Sequence, residues 1–133
     1  MLPTNTQPRL SILVVEDNAD QRMLLGEILP ELFACTVRAV ADTTQALALA
    51  CAAPPDIILL DFHLPPAGGL ALVAQLRAEA RLAGIPVILL SGSQRAADMS
   101  AIHAAHLAGF VEKPYDIETL ELAIEAALTA QVV

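Results

Sequence analysis

Residues 56–61 read Asp56-Ile57-Ile58-Leu59-Leu60-Asp61, an apolar run closed by a carboxylate. A continuous rather than alternating run is expected of a strand covered on both faces, as in a parallel sheet packed between helices. The same construction recurs along the chain. Leu13-Val14-Val15 runs into Glu16-Asp17, Val87-Ile88-Leu89-Leu90 into Ser91, and Gly109-Phe110-Val111 into Glu112-Lys113-Pro114. Together with Cys35–Val40, these runs give strands predicted at about Leu10–Val15, Cys35–Val40, Asp56–Leu60, Pro86–Leu90 and Gly109–Val111.

Helical patterns separate the strands. The first follows Asp17 and is expected to bury Leu24, Leu25, Ile28, Leu29 and Leu32, with Pro30 ending or kinking it by removing a hydrogen bond. The second opens at Asp42-Thr43-Thr44-Gln45, which resembles a capping box. A third starts near Gly69 with Leu70, Val73 and Leu76 inward, and a fourth, alanine-rich and weakly amphipathic, runs from about Arg95 to His106. In the last, Ile117, Leu120, Ile124, Ala127 and Leu128 share one face, Glu118, Glu121 and Glu125 lie outside, and Asp116 is the N-cap. Repeated βα units with short connections imply an α/β fold, a doubly wound parallel sheet with right-handed crossovers.

The length of 133 residues suits one domain with a real core. No apolar stretch approaches the roughly 20 residues of a membrane span. The polar, proline-containing Met1–Pro8 lacks the apolar segment of a signal peptide and reads as a flexible lead. A net charge of -8, with scattered arginines, disfavours nucleic acid and anionic membranes as direct partners. Cys35 and Cys51 read as small apolar thiols, which leaves the cytoplasm as the default compartment.

Lys113 is the only lysine of the chain, and it stands at one of the strand ends that also deliver Glu16, Asp17, Asp61 and Ser91. Taken singly, each has an ordinary reading: a helix cap for Glu16-Asp17, a turn for Asp61 and for Ser91-Gly92, a solvated charge for Lys113. Taken together, they fall on the carboxyl edge of one sheet, where open α/β sheets build their sites. Three carboxylates held together repel, and one ammonium is too little to neutralise them. A hard divalent cation such as magnesium, which favours a few carboxylates plus water and phosphoryl oxygens, completes the set. The chemistry expected is a magnesium-dependent aspartyl phosphate on Asp61, with Ser91 and Lys113 taking the other phosphoryl oxygens. His103 and His106 lack a cysteine or carboxylate at suitable spacing and read as a solvated helix face.

The chain resembles a response-regulator receiver domain of bacterial two-component signalling, specifically the single-domain, chemotaxis-regulator-like kind. The resemblance covers about Arg9 to Ala130 and rests on Glu16-Asp17, Asp61-Phe62-His63-Leu64-Pro65, Ser91-Gly92 and Lys113-Pro114, with their intervals. It implies a (βα)5 flavodoxin-like fold of strand order 2-1-3-4-5 with helices on both faces. It implies Asp61 as phosphoacceptor and magnesium held by Asp17, Asp61 and the His63 carbonyl, with Glu16 acting through water. Ser91 and Lys113 would bind the phosphoryl group, and Ser91 and Phe110 would form the switch. The Lys113-Pro114 bond would be cis. His63 and Ser93 occupy the two variable positions that tune phosphoryl lifetime in the family. Gly68 stands where an acidic residue is frequent, which leaves the acceptor loop looser.

The expected function is that of a stand-alone switch, with a lead at 1–8, a receiver domain at 9–130 and no output domain. It would accept a phosphoryl group from a histidine kinase or histidine phosphotransfer protein and signal by protein contacts through the fourth helix, fifth strand and fifth helix. It would catalyse part of its own phosphorylation and dephosphorylation without turning over an external substrate. The alternatives are a receiver module of a hybrid kinase or phosphorelay and an aspartyl-nucleophile phosphohydrolase. The haloacid-dehalogenase type of the latter needs a second aspartate two residues after the nucleophile, where this chain has His63.

Overall fold

The apolar runs become strands because each has two apolar surfaces to cover. In the computed structural model, which describes residues 10–92 and 95–130, the elements are β1 (Leu10–Val15), α1 (Ala19–Leu32), β2 (Cys35–Val40), α2 (Thr43–Ala52) and β3 (Ile57–Asp61). They continue as α3 (Gly69–Ala78), β4 (Val87–Ser91), α4 (Ala96–Ala104), β5 (Gly109–Glu112) and α5 (Ile117–Ala130). The lead at 1–8 and Ser93 lie outside the described residues.

The strands form one parallel sheet of order β2-β1-β3-β4-β5, the expected fold. Side chains alternate across it. Ile12, Val14, Ile57, Leu59, Ile88 and Leu90 pack with Leu25 and Leu29 of α1 and Leu120, Ile124 and Ala127 of α5. Leu13, Val15, Ile58, Leu60, Val87 and Leu89 pack with residues of α2, α3 and Ile102 of α4. Every second residue therefore serves a different core, which is why the runs do not alternate in polarity. The chain reverses direction across the sheet between β1 and β3. Val15 pairs with Leu60 there, so Glu16 and Asp61 leave the sheet side by side.

Capping follows the sequence at α2, where Asp42 Oδ1 accepts from the Gln45 amide at 2.7 Å, and at α5, where Asp116 Oδ1 accepts from the Thr119 amide at 2.8 Å. That second bond holds the Asp116 carboxyl below its ordinary range. The cap of α1 is Asn18, whose Oδ1 accepts from the Gln21 amide at 2.9 Å, not Glu16 or Asp17.

Several boundaries differ from expectation. β3 and β4 run one residue further, to Asp61 and Ser91, because the ladder continues through the pairs Asp61–Leu90 and Ser91–Glu112. Pro30 lies inside α1, which ends two residues later at Leu32; proline removes only its own amide donor, and the last turn still closes through the Phe33 amide on the Leu29 carbonyl at 3.0 Å. α4 is shorter than Arg95–His106, and His106 adopts a left-handed φ of 53° beyond its end. In α3, Leu72 is buried and Leu70 only half-buried. Leu24 and Ile117, both expected inward, are 48% exposed, because each lies at the margin of its helix's apolar face, beside the open groove between α1 and α5.

This difference is measurable. Leu25→Ala should cost about 2–5 kcal/mol in urea unfolding, whereas Leu24→Ala should stay within about 0.5 kcal/mol of wild type. Equal losses would return Leu24 to the buried face.

Candidate functional site

The strand ends meet. Glu16 and Asp17 follow β1, Asp61 closes β3, Ser91 closes β4 and Lys113 follows β5. Carboxylate oxygens of Glu16, Asp17 and Asp61 lie within 4.8 Å of one another. The Lys113 ammonium sits 3.0 Å from Glu16 Oε1 and 3.2 Å from Asp61 Oδ1, bridging the two.

Each group is held differently. Glu16 is buried, and its other oxygen, Oε2, accepts from the Asn18 amide at 3.1 Å. Burial pushes the Glu16 carboxyl above its ordinary value, against the lowering effects of the Asn18 amide and the Lys113 ammonium. Burial would lower the Lys113 ammonium, but the hydrogen bond to Glu16 and the charges of Asp61 and Glu16 outweigh it and hold the group above its ordinary value. Tyr115, close by, is raised by burial. Ser91 is fully buried, and its carbonyl accepts from the Lys113 amide at 2.8 Å, tying β4 to the turn that carries the lysine. The Lys113-Pro114 bond is cis, and so is Pro65-Pro66 in the loop between β3 and α3.

Asp17 differs from its neighbours. It is exposed, and its carboxylate makes no hydrogen bond among the described residues. With Phe62 and His63 it borders an open pocket over the site. His63 is exposed and stands edge-on to the Phe62 ring, centroids 4.8 Å apart. Phe110 is half-buried and borders a second pocket with Ile102, His103 and Leu107. Both His103 and His106 are exposed, as expected.

Three residues, Gly69, Gly68 and Arg22, support the site in ways the sequence reading did not state. A Cβ on Gly69 would collide with the Asp61 carbonyl oxygen, so this glycine lets α3 start directly against the end of β3; its amide donates to the Phe62 carbonyl at 2.9 Å. The preceding Gly68 has a φ of 96°, open to glycine and strained for most other residues. The Gly68-Gly69 pair was a visible signal for both. Arg22 was not legible, since its guanidinium grips main-chain carbonyls of Glu16 and Asp17.

The donor set consists of hard oxygens with one ammonium among them. That composition fits magnesium better than zinc or copper, which take nitrogen and sulfur ligands. Asp17, outward and unbonded, is the carboxylate best placed to take a cation from solution.

Comparison with known proteins agrees with this geometry. The model of the response regulator receiver domain matches residues 12–125. The sensor histidine kinase TmoS of Ectopseudomonas mendocina is 28% identical over 126 residues, which is 95% of this chain and 12% of that protein. The chain thus spans only a small part of this relative's length. The chemotaxis response regulator CheY4 of Vibrio cholerae matches with a TM-score of 0.84 and 25% identity, over 91% of this chain and 100% of that one. The signal receiver domain of a signal transduction histidine kinase from Syntrophus aciditrophicus matches with a TM-score of 0.84 and 28% identity, over 90% of each chain.

The buried Glu16 predicts a pH effect of defined sign. A carboxyl whose folded pKa is raised stabilises the fold below its unfolded value, 4.5 here, and that contribution is lost as pH rises through the folded pKa. In metal-free buffer, the stability of wild type relative to Glu16→Gln should therefore fall between pH 4.5 and neutrality. A relative stability that climbs over this range, in paired urea titrations, would mean that the Lys113 contact outweighs burial.

Proposed function

The chain belongs to the response regulator receiver family, and from that premise we propose that Asp61 accepts a phosphoryl group from the phosphohistidine of a histidine kinase or phosphotransfer protein. The observation that carries this reading is the Lys113 ammonium 3.2 Å from Asp61 Oδ1, with Asp17 and Glu16 close enough to share a cation. An Asp61 carboxylate oxygen attacks phosphorus, the new O–P bond replaces the P–N bond, and the bonding pair leaves with the imidazole, which takes up a proton. Lys113 and the Ser91 hydroxyl receive the phosphoryl oxygens as negative charge gathers on them. Magnesium would be held by Asp17, Asp61 and the His63 carbonyl, with Glu16 through water. When bound, it offsets the repulsion between these carboxylates and the incoming phosphoryl group.

The receiver domain occupies 9–130. It catalyses part of its own phosphorylation and hydrolysis and turns over no external substrate. The signal leaves through α4, β5 and α5 to a protein target, as Ser91 moves toward the new oxygens and Phe110 turns inward behind it. The acidic charge argues against direct nucleic-acid contact, and no helix among the described residues is long and apolar enough to cross a membrane. The cytoplasm is the compartment that suits this exchange. A second reading, a receiver module within a longer kinase or relay, is favoured by the likeness to TmoS, of which this chain matches 12%.

Acetyl phosphate with magnesium should add one acid-stable, base-labile phosphoryl group per chain, and Asp61→Asn should add none. Undiminished labelling of Asp61→Asn would remove the assignment, and steady release of phosphate from small esters would favour a hydrolase. Beryllofluoride with magnesium should shift amide NMR signals at Ser91, Phe110 and α4 as well as at Asp61. Changes confined to the metal-binding edge would exclude this output route.

A further inference from the structure

One nitrogen of Arg22, Nη1, donates to two successive main-chain carbonyls, at 2.8 Å to Glu16 and 3.3 Å to Asp17. These oxygens belong to the two peptide units that flank the Asp17 α-carbon. Peptide units are planar, so restraining both fixes the direction in which the Asp17 side chain leaves the backbone. The residues on either side have their own anchors: the Glu16 amide donates to the Val40 carbonyl at 3.0 Å, and the Asn18 amide to Glu16 Oε2 at 3.1 Å. The Asp17 carboxylate has none among the described residues, although it must stay within reach of Asp61.

We propose that Arg22 is a positioning residue for the cation site, its guanidinium holding the Glu16–Asn18 turn so that Asp17 faces Asp61. This inference rests on the reading of Asp17 and Asp61 as cation ligands. Charge and geometry make opposite predictions. A guanidinium close to a cation site repels the cation, so if charge were its only influence, removing Arg22 would tighten binding. If it orients a ligand, removing it weakens binding, as the loss of outer-shell partners of metal ligands does. Arg77 supplies a control, because its Nη1 grips the carbonyls of Ala83 and Ile85, at 3.1 and 3.0 Å, away from the site.

The test is a magnesium titration of the full chain followed by amide NMR, alongside urea unfolding. Arg22→Met should bind magnesium about 10-fold more weakly, and its metal-free spectrum should already show altered Asp17 and Asn18 amides. Arg22→Lys, which restores one charged donor nitrogen on a shorter, non-planar head, should recover part of the loss. Arg77→Met should lose stability at unchanged magnesium affinity. Unchanged or tighter binding by Arg22→Met overturns the inference, and so does equal weakening in Arg77→Met. Should Arg22→Met not fold, Arg22→Gln, too short to span both carbonyls, is read by the same criteria. Wild-type protein that neither binds magnesium nor labels Asp61 would remove the receiver reading itself. Normal wild-type binding and labelling with an unaffected Arg22→Met would remove only the role of Arg22.

Discussion

Glu16 and Asp61 are carboxylates buried at the carboxyl edge of a sheet whose central strands are mainly apolar, where like charges repel unless they are countered. The Lys113 ammonium is that counter-charge, reaching both at hydrogen-bonding distance. Much of the local architecture follows from bringing it there. β5 is separated from β3 by β4, so the lysine must pass over the end of β4 to reach Asp61. That end carries Ser91 and Gly92, where a Cβ would be in ordinary contact with the Lys113 Cβ, at 3.9 Å. The bond from the Lys113 amide to the Ser91 carbonyl then sets the height of the turn above the sheet.

The loops on this edge are held by main-chain contacts more than by side-chain pairs. The Phe62 amide donates to the Leu90 carbonyl, Thr43 to Pro65 and Gly69 to Phe62, so the loop between β3 and α3 is tied to β4, to the start of α2 and to its own helix. Arginines serve the same purpose. Arg22, Arg38, Arg77 and Arg81 each donate to backbone carbonyls. An arginine so used staples a loop, and with a net charge of -8 carboxylates remain in excess on the exterior. Such a surface favours approach by basic partners and slows acidic ones, an effect that salt screens.

A single fold thus imposes two kinds of demand on sequence. The central strands must be apolar on both faces, because Ile12 and Val14 answer to α1 and α5 while Leu13 and Val15 answer to the opposite helices. Polar residues then stand where the strands end: Asp61, Ser91 and Glu112 close β3, β4 and β5, and Glu16-Asp17 follow β1 directly. Where both demands act on one strand, as in Ile57–Asp61, the change from apolar to charged marks the site.

The sequence by itself determined the α/β class, the parallel sheet, the central strands to within a residue and the acidic, hydroxyl and ammonium positions at their ends. These are local matters: polarity along a run and the residue that terminates it. Tertiary structure alone decided which neighbour each group would meet. The bridging of Glu16 and Asp61 by Lys113 depends on strand order, the exposure of Leu24 and Ile117 on where the groove between α1 and α5 opens, and the need for glycine at Gly69 on how closely α3 approaches Asp61. The grip of Arg22 on two carbonyls has no sequence signature, because the backbone it holds is common to every residue. Polarity is written in the chain, whereas distance between residues far apart in sequence exists only after the sheet has set its order and register.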